Sequence, residues 1–259
     1  MQASLIRAES IFLDYQVRCL KNSGRFINFF KPALYQSNAV LKGIDFEVSG
    51  PGVTSIIGRN GSGKTSLIKI LTGILTPTSG TVRVLGEKPQ ARKKAALLRT
   101  AVIFGHRRSL AGDLSLYENL KLTAALYGVS KQLFLERFEE LCELLRLSHL
   151  LHRPVKGFSL GESMKAEIAA ALLYQPTVIF LDEPTVGLDL EAQIRIREAI
   201  ETYAIKFQSH FILTSHNLKD IVYLTKNYQL LKDGVLTKFE PGSMSSGAIE
   251  SHLERFLLT

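Results

Sequence analysis

Short apolar runs alternate along this chain with longer segments of helical periodicity. Four of the runs are four or five residues long and rich in β-branched or aromatic side chains, which predicts short buried strands. They are residues 53–57, 101–104, 177–181 and 211–214. Strands separated by helical segments are typical of βαβ units. The pattern therefore predicts an α/β fold whose sheet is mostly parallel.

One long segment, residues 115–174, contains no run that predicts a strand. Within it Phe134, Phe138, Leu141 and Leu145 recur at helical spacing and define one apolar helix face. The sequence thus predicts a helical subdomain inserted into an α/β core, both within a single domain. The predicted boundaries are 1–109 and 175–259 for the core and 110–174 for the helical subdomain.

Residues 16–39 are predicted to stand outside the core, as an insertion between two neighbouring strands. The insertion mixes cations with large rings, among them Arg25, Phe26, Phe29, Phe30, Lys31 and Tyr35. Two interpretations stay open: the rings cover the edge of the sheet, or the insertion lies on a membrane-facing side and packs against a membrane partner or lipid headgroups. The tail from Asp233 onward is also placed outside the core, and it is too short to add a regulatory domain.

Composition excludes several classes of protein. With 259 residues, 46% hydrophobic and 22% charged, the chain is expected to fold rather than to be disordered or fibrous. Cys19 and Cys142 are its two cysteines, which excludes a disulfide scaffold and indicates a reducing compartment. No uncharged apolar run reaches about 18 residues, and residues 1–15 carry charges where a signal peptide is apolar. We therefore expect neither export nor a membrane span.

The net charge is +8, from 32 Lys and Arg against 24 Asp and Glu. Such an excess favours an anionic partner, which includes nucleotides, nucleic acids and anionic membrane surfaces. Charge alone does not choose among these partners.

A glycine-rich loop follows the first predicted strand and fits the pattern G-x-x-x-x-G-K-[ST]. Its glycines allow backbone N–H groups to turn inward, and the helix that follows adds partial positive charge, so the loop is a predicted phosphate cradle. Lys64 is assigned to the β- and γ-phosphates and the Thr65 hydroxyl to Mg²⁺. The candidate contacts in and after the loop are Gly58, Asn60, Gly61, Ser62, Gly63, Lys64, Thr65 and Ser66.

Two carboxylates, Asp182 and Glu183, follow the predicted strand 177–181. In doubly wound sheets, ligands bind at the carboxyl ends of the strands, so both side chains are expected beside the phosphate loop. Asp182 suits Mg²⁺ coordination, directly or through water. Glu183 is the candidate for polarising an attacking water molecule.

Further motifs, by their order and spacing, resemble those of the ATPase subunits of ATP-binding cassette (ABC) transporters over nearly the whole chain. Residues 158–162, FSLGE, resemble the family signature LSGGQ, and LDEPT follows at 181–185. Residues 187–189 are similar to the family's D-loop, and His216 to its switch histidine. The resemblance implies a P-loop NTPase core with a mostly parallel sheet, an antiparallel β portion and an inserted α-helical subdomain.

The resemblance also implies a dimer that holds two ATP molecules with Mg²⁺, because in this family the signature of one subunit completes the phosphate site of the other. On this basis Ser159 and Gly161 are expected to reach the γ-phosphate across the interface, at the start of their helix. His216 would sense the same phosphate, and with Lys64 and Glu183 it completes the predicted catalytic set.

Four positions differ from the family pattern or allow a second interpretation. Tyr15 stands near the place of a family aromatic that stacks on adenine, with core packing as the alternative. His106 stands where a glutamine usually follows strand 101–104, and an imidazole differs in hydrogen-bond geometry and titrates near physiological pH. Its role as a metal ligand or coupling residue stays open. Leu160 and Glu162 replace a glycine and a glutamine of the signature.

The function implied by the resemblance is ATP hydrolysis for an exporter, because FGHRRSLAGDLSLYENL at 104–120 is similar to the FGQRSQLWWDL pattern of sodium, drug or cell-surface-glycan exporters. The implied partners are a separate transmembrane permease and a second copy of the chain or a close homologue; no nucleic acid is expected. The implied location is the cytoplasmic face of the inner or plasma membrane. Two alternatives stay open: a soluble ABC ATPase acting on ribosomes or nucleic acid, and a regulatory module that binds nucleotide without turnover.

Overall fold

The computed structural model describes residues 4–19, 34–105, 107–215 and 217–258, whose strands form two sheets. The strands are β1 (Ser4–Cys19), β2 (Leu34–Ser49), β3 (Gly52–Ile57), β4 (Ser79–Val84), β5 (Thr100–Phe104), β6 (Val178–Asp182), β7 (His210–Thr214), β8 (Asn227–Lys232) and β9 (Val235–Phe239). The α-helices are α1 (Lys64–Leu71), α2 (Lys94–Leu97), α3 (Leu116–Tyr127), α4 (Lys131–Leu144), α5 (Leu160–Leu172), α6 (Leu190–Lys206), α7 (Leu218–Leu224) and α8 (Ser246–Leu258).

The larger sheet runs in the order β5-β6-β7-β3-β8-β9. Its neighbouring strands are parallel except for β8 and β9, which are antiparallel. The four strands predicted from the sequence are confirmed as β3, β5, β6 and β7, each within one residue at both ends. Every residue of β6 and β7 is buried, as is typical of parallel strands covered on both faces. The carboxyl ends of β3, β6 and β7 therefore meet at one edge.

The smaller sheet is antiparallel, in the order β2-β1-β4. β1 and β2 form a long hairpin, paired from Ser4 with Ser49 to Cys19 with Leu34. Residues 16–19 and 34–39, which the sequence placed in an insertion, continue this ladder, so the hairpin is longer than the sequence predicts. Residues 20–33, which carry the cations and rings from Arg25 to Lys31, lie outside the described residues.

The segment 115–174 is helical and contains no strand, as the sequence predicts. Its predicted apolar face is confirmed: Phe134, Leu141 and Leu145 are buried, and Phe138 packs against them while partly exposed. These side chains share one core with α5, α6 and the face of the parallel sheet that these helices cover. These helices are therefore packed onto one face of the larger sheet.

The tail after Asp233 belongs to the core, so the prediction that it stands outside is wrong. β9 pairs along β8 at the sheet edge, and Ile249 and Leu253 of α8 are buried with Ile57 and Ile221. β9 has only five residues, too few to show a clear period, and its pairing with β8 is visible only in three dimensions. Within the described residues, no helix is both long and apolar enough to cross a membrane.

Candidate functional site

The glycine-rich loop joins β3 to α1 and depends on its glycines for conformation and space. Gly61 and Gly63 have φ angles of 83° and 108°, in the left-handed region that residues with a Cβ rarely adopt. A Cβ at Gly58 would lie 2.3 Å from the carbonyl oxygen of Leu231, too close for any side chain. A Cβ at Gly61 would meet no described atom within 4 Å, so this side of the loop is open. The loop thus fits an anion cradle.

The side chain of Lys64 folds back along the loop. It is 6% exposed, and its Nζ donates hydrogen bonds to the carbonyl oxygens of Gly58 at 2.7 Å and Arg59 at 3.1 Å. The Oε1 atom of Glu183 lies 3.8 Å from the same Nζ. Burial lowers the pKa of Lys64, and the carboxylates of Glu183 and Asp182 oppose that shift. The Lys64 ammonium is therefore held at the loop, where it can also donate hydrogen bonds to the oxygens of a bound phosphate.

Asp182, the last residue of β6, is 2% exposed and accepts two hydrogen bonds from hydroxyls. The Oγ1 of Thr65 donates to its Oδ2 at 2.9 Å, and the Oγ1 of Thr214 donates to its Oδ1 at 2.5 Å. The structure thus brings together Thr65 and Asp182, two of the predicted Mg²⁺ ligands. A hydroxyl and a carboxylate are the oxygen ligands that Mg²⁺ prefers, so the residues present fit this ion.

The described ranges contain no cluster of His, Cys, Asp and Glu side chains that could bind a metal ion without other ligands. In residues 4–19, 34–105, 107–215 and 217–258, no group of three or more His, Cys, Asp and Glu side chains is placed to hold a metal ion. The third predicted metal ligand, His106, lies outside these ranges, as does the predicted switch histidine, His216.

Glu183 has an unusual backbone conformation that its neighbours support. Its φ angle is 55°, in the left-handed region where glutamate is rare. Its N–H donates to the carbonyl oxygen of Thr214 at 3.0 Å and to the Oγ1 of Thr214 at 3.1 Å. Its carbonyl packs against Gly105, where a Cβ would lie 2.3 Å from the Glu183 oxygen. The turn is therefore held from two neighbouring strand ends with the Glu183 carboxylate beside Lys64.

A cavity of about 550 Å³ adjoins the outer part of the loop. Its walls come from β2, the loop, the turn between β8 and β9, and α8, and include Val40, Asn60, Ser62, Lys232 and Phe256. The Ser62 Oγ is buried and has no hydrogen-bond partner in the described part of the chain. Because buried polar atoms are normally paired, this hydroxyl indicates a ligand at the loop. The cavity has the size of a small-molecule site.

The structure brings Tyr15 to the start of α1. Its hydroxyl lies 3.3 Å from the Oγ of Ser66, in the first turn of that helix. The Tyr15 side chain is 38% exposed, which argues against the core-packing alternative. Stacking of its ring on a base stays a prediction.

Ser159 caps α5 at the centre of the predicted signature. Its Oγ accepts a hydrogen bond from the N–H of Glu162 at 3.2 Å, and Oε2 of Glu162 accepts one from the N–H of Ser159 at 2.8 Å. The hydrogen bond from the Ser159 N–H to the carboxylate is the main reason that the pKa of Glu162 lies below its ordinary value. A Cβ at Gly161 would lie 2.9 Å from the Cβ of Ala192, so the start of α5 packs closely on the start of α6.

Exposed apolar side chains lie next to Ser159 in sequence and on the segment that contacts the start of α5. Leu160, Val186, Leu190 and Ile194 are 45%, 44%, 66% and 37% exposed. A Cβ at Gly187 would lie 3.2 Å from Cδ2 of Leu160, so the start of α5 and the segment 186–194 are in contact. We call these four side chains, with Ser159, the signature face. Exposed apolar groups that adjoin one another are typical of interaction surfaces.

Sequence reasoning missed Thr214 and Gly105, which both contact the turn of Asp182 and Glu183. A signal for Thr214 exists, because it ends the predicted strand 211–214 and neighbouring parallel strands end at the same edge. Gly105 has no side chain that could be assigned a chemical role from the sequence. Its close contact with the Glu183 carbonyl is visible only in three dimensions.

Comparison with known proteins gives matches that include these motifs. A family model described as ABC transporter matches residues 41–186, more than half of the chain. The ABC transporter ATP-binding protein NatA of Bacillus subtilis (strain 168) is 31% identical over 202 residues, 78% of this chain and 79% of NatA. The bacitracin transport ATP-binding protein BcrA of Bacillus licheniformis is 31% identical over 208 residues, 80% of this chain and 67% of BcrA.

The fold is also found among solved structures. A dimeric post-hydrolysis state of an ATP-binding cassette, bound to ADP and Pi, is 18% identical and has a TM-score of 0.74, covering 92% of this chain and 100% of that chain. The residues matched by the family model contain the phosphate loop, the signature and the turn of Asp182 and Glu183. The chain therefore belongs to the ABC transporter family, as one of its ATP-binding ATPase subunits.

Proposed function

We propose that this chain binds ATP with Mg²⁺ and hydrolyses it as a homodimer that drives a separate permease of an exporter. One observation carries the proposal: a cation, a pair of Mg²⁺ ligands and a carboxylate base converge at the phosphate loop. Glu183 Oε1 lies 3.8 Å from Lys64 Nζ, and Thr65 Oγ1 lies 2.9 Å from Asp182 Oδ2. Phosphoryl transfer to water depends on the positions of such groups and on the charge that they place around the phosphates.

Each group has one role in the proposed reaction. Lys64 and the loop N–H groups bind the phosphate oxygens, and Glu183 orients the attacking water and takes its proton. As the water oxygen bonds to the γ-phosphorus, the bond from that phosphorus to the β,γ-bridging oxygen breaks, which releases ADP and phosphate. When bound at Thr65 and Asp182, Mg²⁺ supplies positive charge that neutralises the phosphates.

Further contacts with ATP are proposed for three residues. Tyr15 stacks on the base, which its exposure and its contact with Ser66 support. His216 contacts the γ-phosphate. His106 binds the metal or couples the site to the permease; it directly follows Gly105, whose N–H donates to the carbonyl oxygen of Asp182 at 2.8 Å.

The coupling role of His106 gains support from the loop that follows it. The N–H groups of Ser109 and Leu110 donate to Oε1 of Glu167 at 2.6 Å and 3.1 Å. Glu167 is 6% exposed and lies on α5, the helix that begins at the signature. A movement of this loop would therefore be transmitted to α5.

The signature face supports the homodimer. Ser159 and Gly161 lie at the start of α5, where the helix carries partial positive charge that suits the γ-phosphate of a nucleotide on the other subunit. Leu160, Leu190 and their apolar neighbours would be covered in such a dimer. The related solved cassette is dimeric.

The exporter assignment rests on the sequence at 104–120 and on relatives such as BcrA, whose name specifies bacitracin transport. We propose a location at the cytoplasmic face of the inner or plasma membrane, with 110–174 as the helical subdomain and 16–39 as a membrane-side contact. Action on ribosomes or nucleic acid is not favoured, since the matched relatives are transport proteins. The proximity of Lys64 and Glu183 argues against a module without turnover.

Ser159→Arg is expected to abolish ATP-dependent dimerisation while ATP binding to the monomer stays nearly unchanged. The long cationic side chain would stand in the centre of the signature face, and Ser159 lies on α5 rather than in the phosphate loop. Sedimentation velocity with ATP, in a Glu183→Gln background that slows hydrolysis, measures the dimer. Equilibrium titration with ATP measures binding.

The matched control for this experiment is Ser130→Arg. Ser130 caps α4 in the same manner, since its Oγ accepts a hydrogen bond from the N–H of Leu133 at 3.3 Å, but it lies outside the signature face. The control is expected to dimerise. A Ser159→Arg protein that dimerises as well as the control would contradict the proposed interface.

A further inference from the structure

A buried carboxylate lies behind the turn that carries Glu183. Asp220, on α7, is 1% exposed, and its Oδ2 accepts a hydrogen bond from the Oγ1 of Thr185. Thr185 is itself 2% exposed and follows Glu183 by two residues. This bond ties the turn to a helix formed by a different part of the chain.

The other oxygen of Asp220 faces a cation. The Nη1 of Arg197, on α6, lies 3.4 Å from the Oδ1 of Asp220, and the Arg197 side chain is 12% exposed. The Arg197 guanidinium also lies 5.5 Å from the centre of the Tyr223 ring. Burial raises the pKa of Asp220, while the Thr185 hydrogen bond and Arg197 oppose that shift. The turn, α6 and α7 therefore meet at one carboxylate.

Glu183 depends on such support because its left-handed conformation persists only where neighbouring contacts impose it. The backbone of Glu183 is held on both sides, because its N–H is bonded to Thr214 and its carbonyl packs against Gly105. The bond from Thr185 to Asp220 fixes the chain on the other side of the turn. Together these contacts hold both ends of the segment.

We propose that Thr185 and Asp220 are positioning residues that hold the Glu183 carboxylate in place for the attacking water. The proposal rests on the role of Glu183 as the base in the proposed function. Displacement of a catalytic group by about 1 Å can cost about 10²-fold in rate. Loss of the Thr185 bond therefore lowers kcat, whereas ATP binding, which depends on Lys64 and the loop, is retained.

Thr185→Val tests the proposal because it removes the hydroxyl and keeps the size of the side chain. We expect kcat to fall by at least about tenfold, with the KM and dissociation constant for ATP unchanged, and Thr185→Ser to restore most of the rate. The matched control is Thr54→Val, which removes another buried hydroxyl hydrogen bond, 2.9 Å from His210 Nε2, without touching the turn. This control is expected to keep kcat.

The decisive comparison repeats Thr185→Val in a Glu183→Gln background. If Thr185 acts through the Glu183 carboxylate, the second substitution lowers turnover little or not at all, because the group it positions is already lost. A general structural role would instead produce the same fold-loss in both backgrounds, and that result would overturn the proposal. If Thr185→Val does not fold, Thr185→Ala is measured in the same two backgrounds with the same expectations.

The outcomes separate this proposal from the proposed function. If Glu183→Gln loses turnover and Thr185→Val does not, only the positioning role is refuted. If Glu183→Gln keeps its turnover, the base assignment fails and the positioning role fails with it. Weaker ATP binding in Thr185→Val, matched by a similar fall in kcat/KM, would also refute it.

Discussion

Glu183→Gln is expected to lower ATP turnover by roughly 10²–10⁴-fold, the usual effect of losing a general base. This loss corresponds to about 3–5 kcal/mol in the activation barrier. The substitution keeps the size of the side chain and the backbone bonds to Thr214, so the turn should keep its shape. An uncharged amide cannot take the proton of the attacking water, whereas the ATP contacts at the loop remain. Steady-state phosphate release and equilibrium ATP titration measure the two quantities.

A matched control for this prediction is Glu139→Gln, which makes the same chemical change on an exposed position of α4. The control should hydrolyse ATP at the rate of the unmodified protein. Glu183→Gln should in addition accumulate as an ATP-bound dimer, because the ATP hydrolysis that would convert this dimer to its ADP-bound form is slowed. Turnover near that of the control would refute Glu183 as the base.

Lys64→Ala is expected to weaken ATP binding itself by one to three orders of magnitude, and to remove turnover as a consequence. A unit charge pair at 4 Å in a partly screened site is worth about 4 kcal/mol, which sets the upper end of this range. Lys64 is 6% exposed and directed at the loop, so the lost ammonium is not readily replaced by another cation. Its removal also leaves Glu183 without the cation that lies 3.8 Å away.

Lys69→Ala serves as the control, because Lys69 lies five residues further along α1 and carries the same charge. Titration with ATP should give an unchanged dissociation constant for Lys69→Ala and a much larger one for Lys64→Ala. Equal affinities in the two variants would show that Lys64 does not contact the phosphates.

The phosphate loop and the strands of the larger sheet could be predicted because their signals are local. The residues 53–65 contain a buried strand, its loop and the start of a helix in direct succession, and the fold keeps that order. Because parallel strands end at the same edge of a sheet, Asp182 at the end of β6 lies beside the loop that follows β3. This edge is where ligands bind in doubly wound sheets.

Other features depend on contacts between distant parts of the chain and could not be read from the sequence. Asp220 follows Thr185 by 35 residues, and nothing in either segment indicates that they share a hydrogen bond. The sequence does not predict the full length of the hairpin of β1 and β2 for a related reason: its outer residue pairs lie in the basic and aromatic segment 16–39, whose composition indicates an insertion. Pairing across the hairpin, rather than composition, decides that these residues form strands.

In the proposed dimer each hydrolytic site is shared by two chains, because the phosphate loop of one faces the signature of the other. Mixing Lys64→Ala with Ser159→Arg tests it directly. Each variant alone should be inactive, because every dimer of Lys64→Ala lacks a working loop and Ser159→Arg does not dimerise with itself. In a mixed dimer the intact loop of the Ser159→Arg chain meets the intact signature of the Lys64→Ala chain, which completes one site. The single arginine then lies at the second site, whose loop already lacks Lys64, whereas a dimer of two Ser159→Arg chains has an arginine at both sites.

ATP hydrolysis by the equimolar mixture is the measurement that decides the claim. The account predicts that the rate rises well above the sum of the two separate rates, with about half of the unmodified rate as the upper limit, because each mixed dimer holds one intact site of two. Adding Glu183→Gln to the Ser159→Arg chain should remove this recovered activity, because the base and the working loop belong to the same chain. A mixture whose rate equals the sum of its components would contradict the shared site.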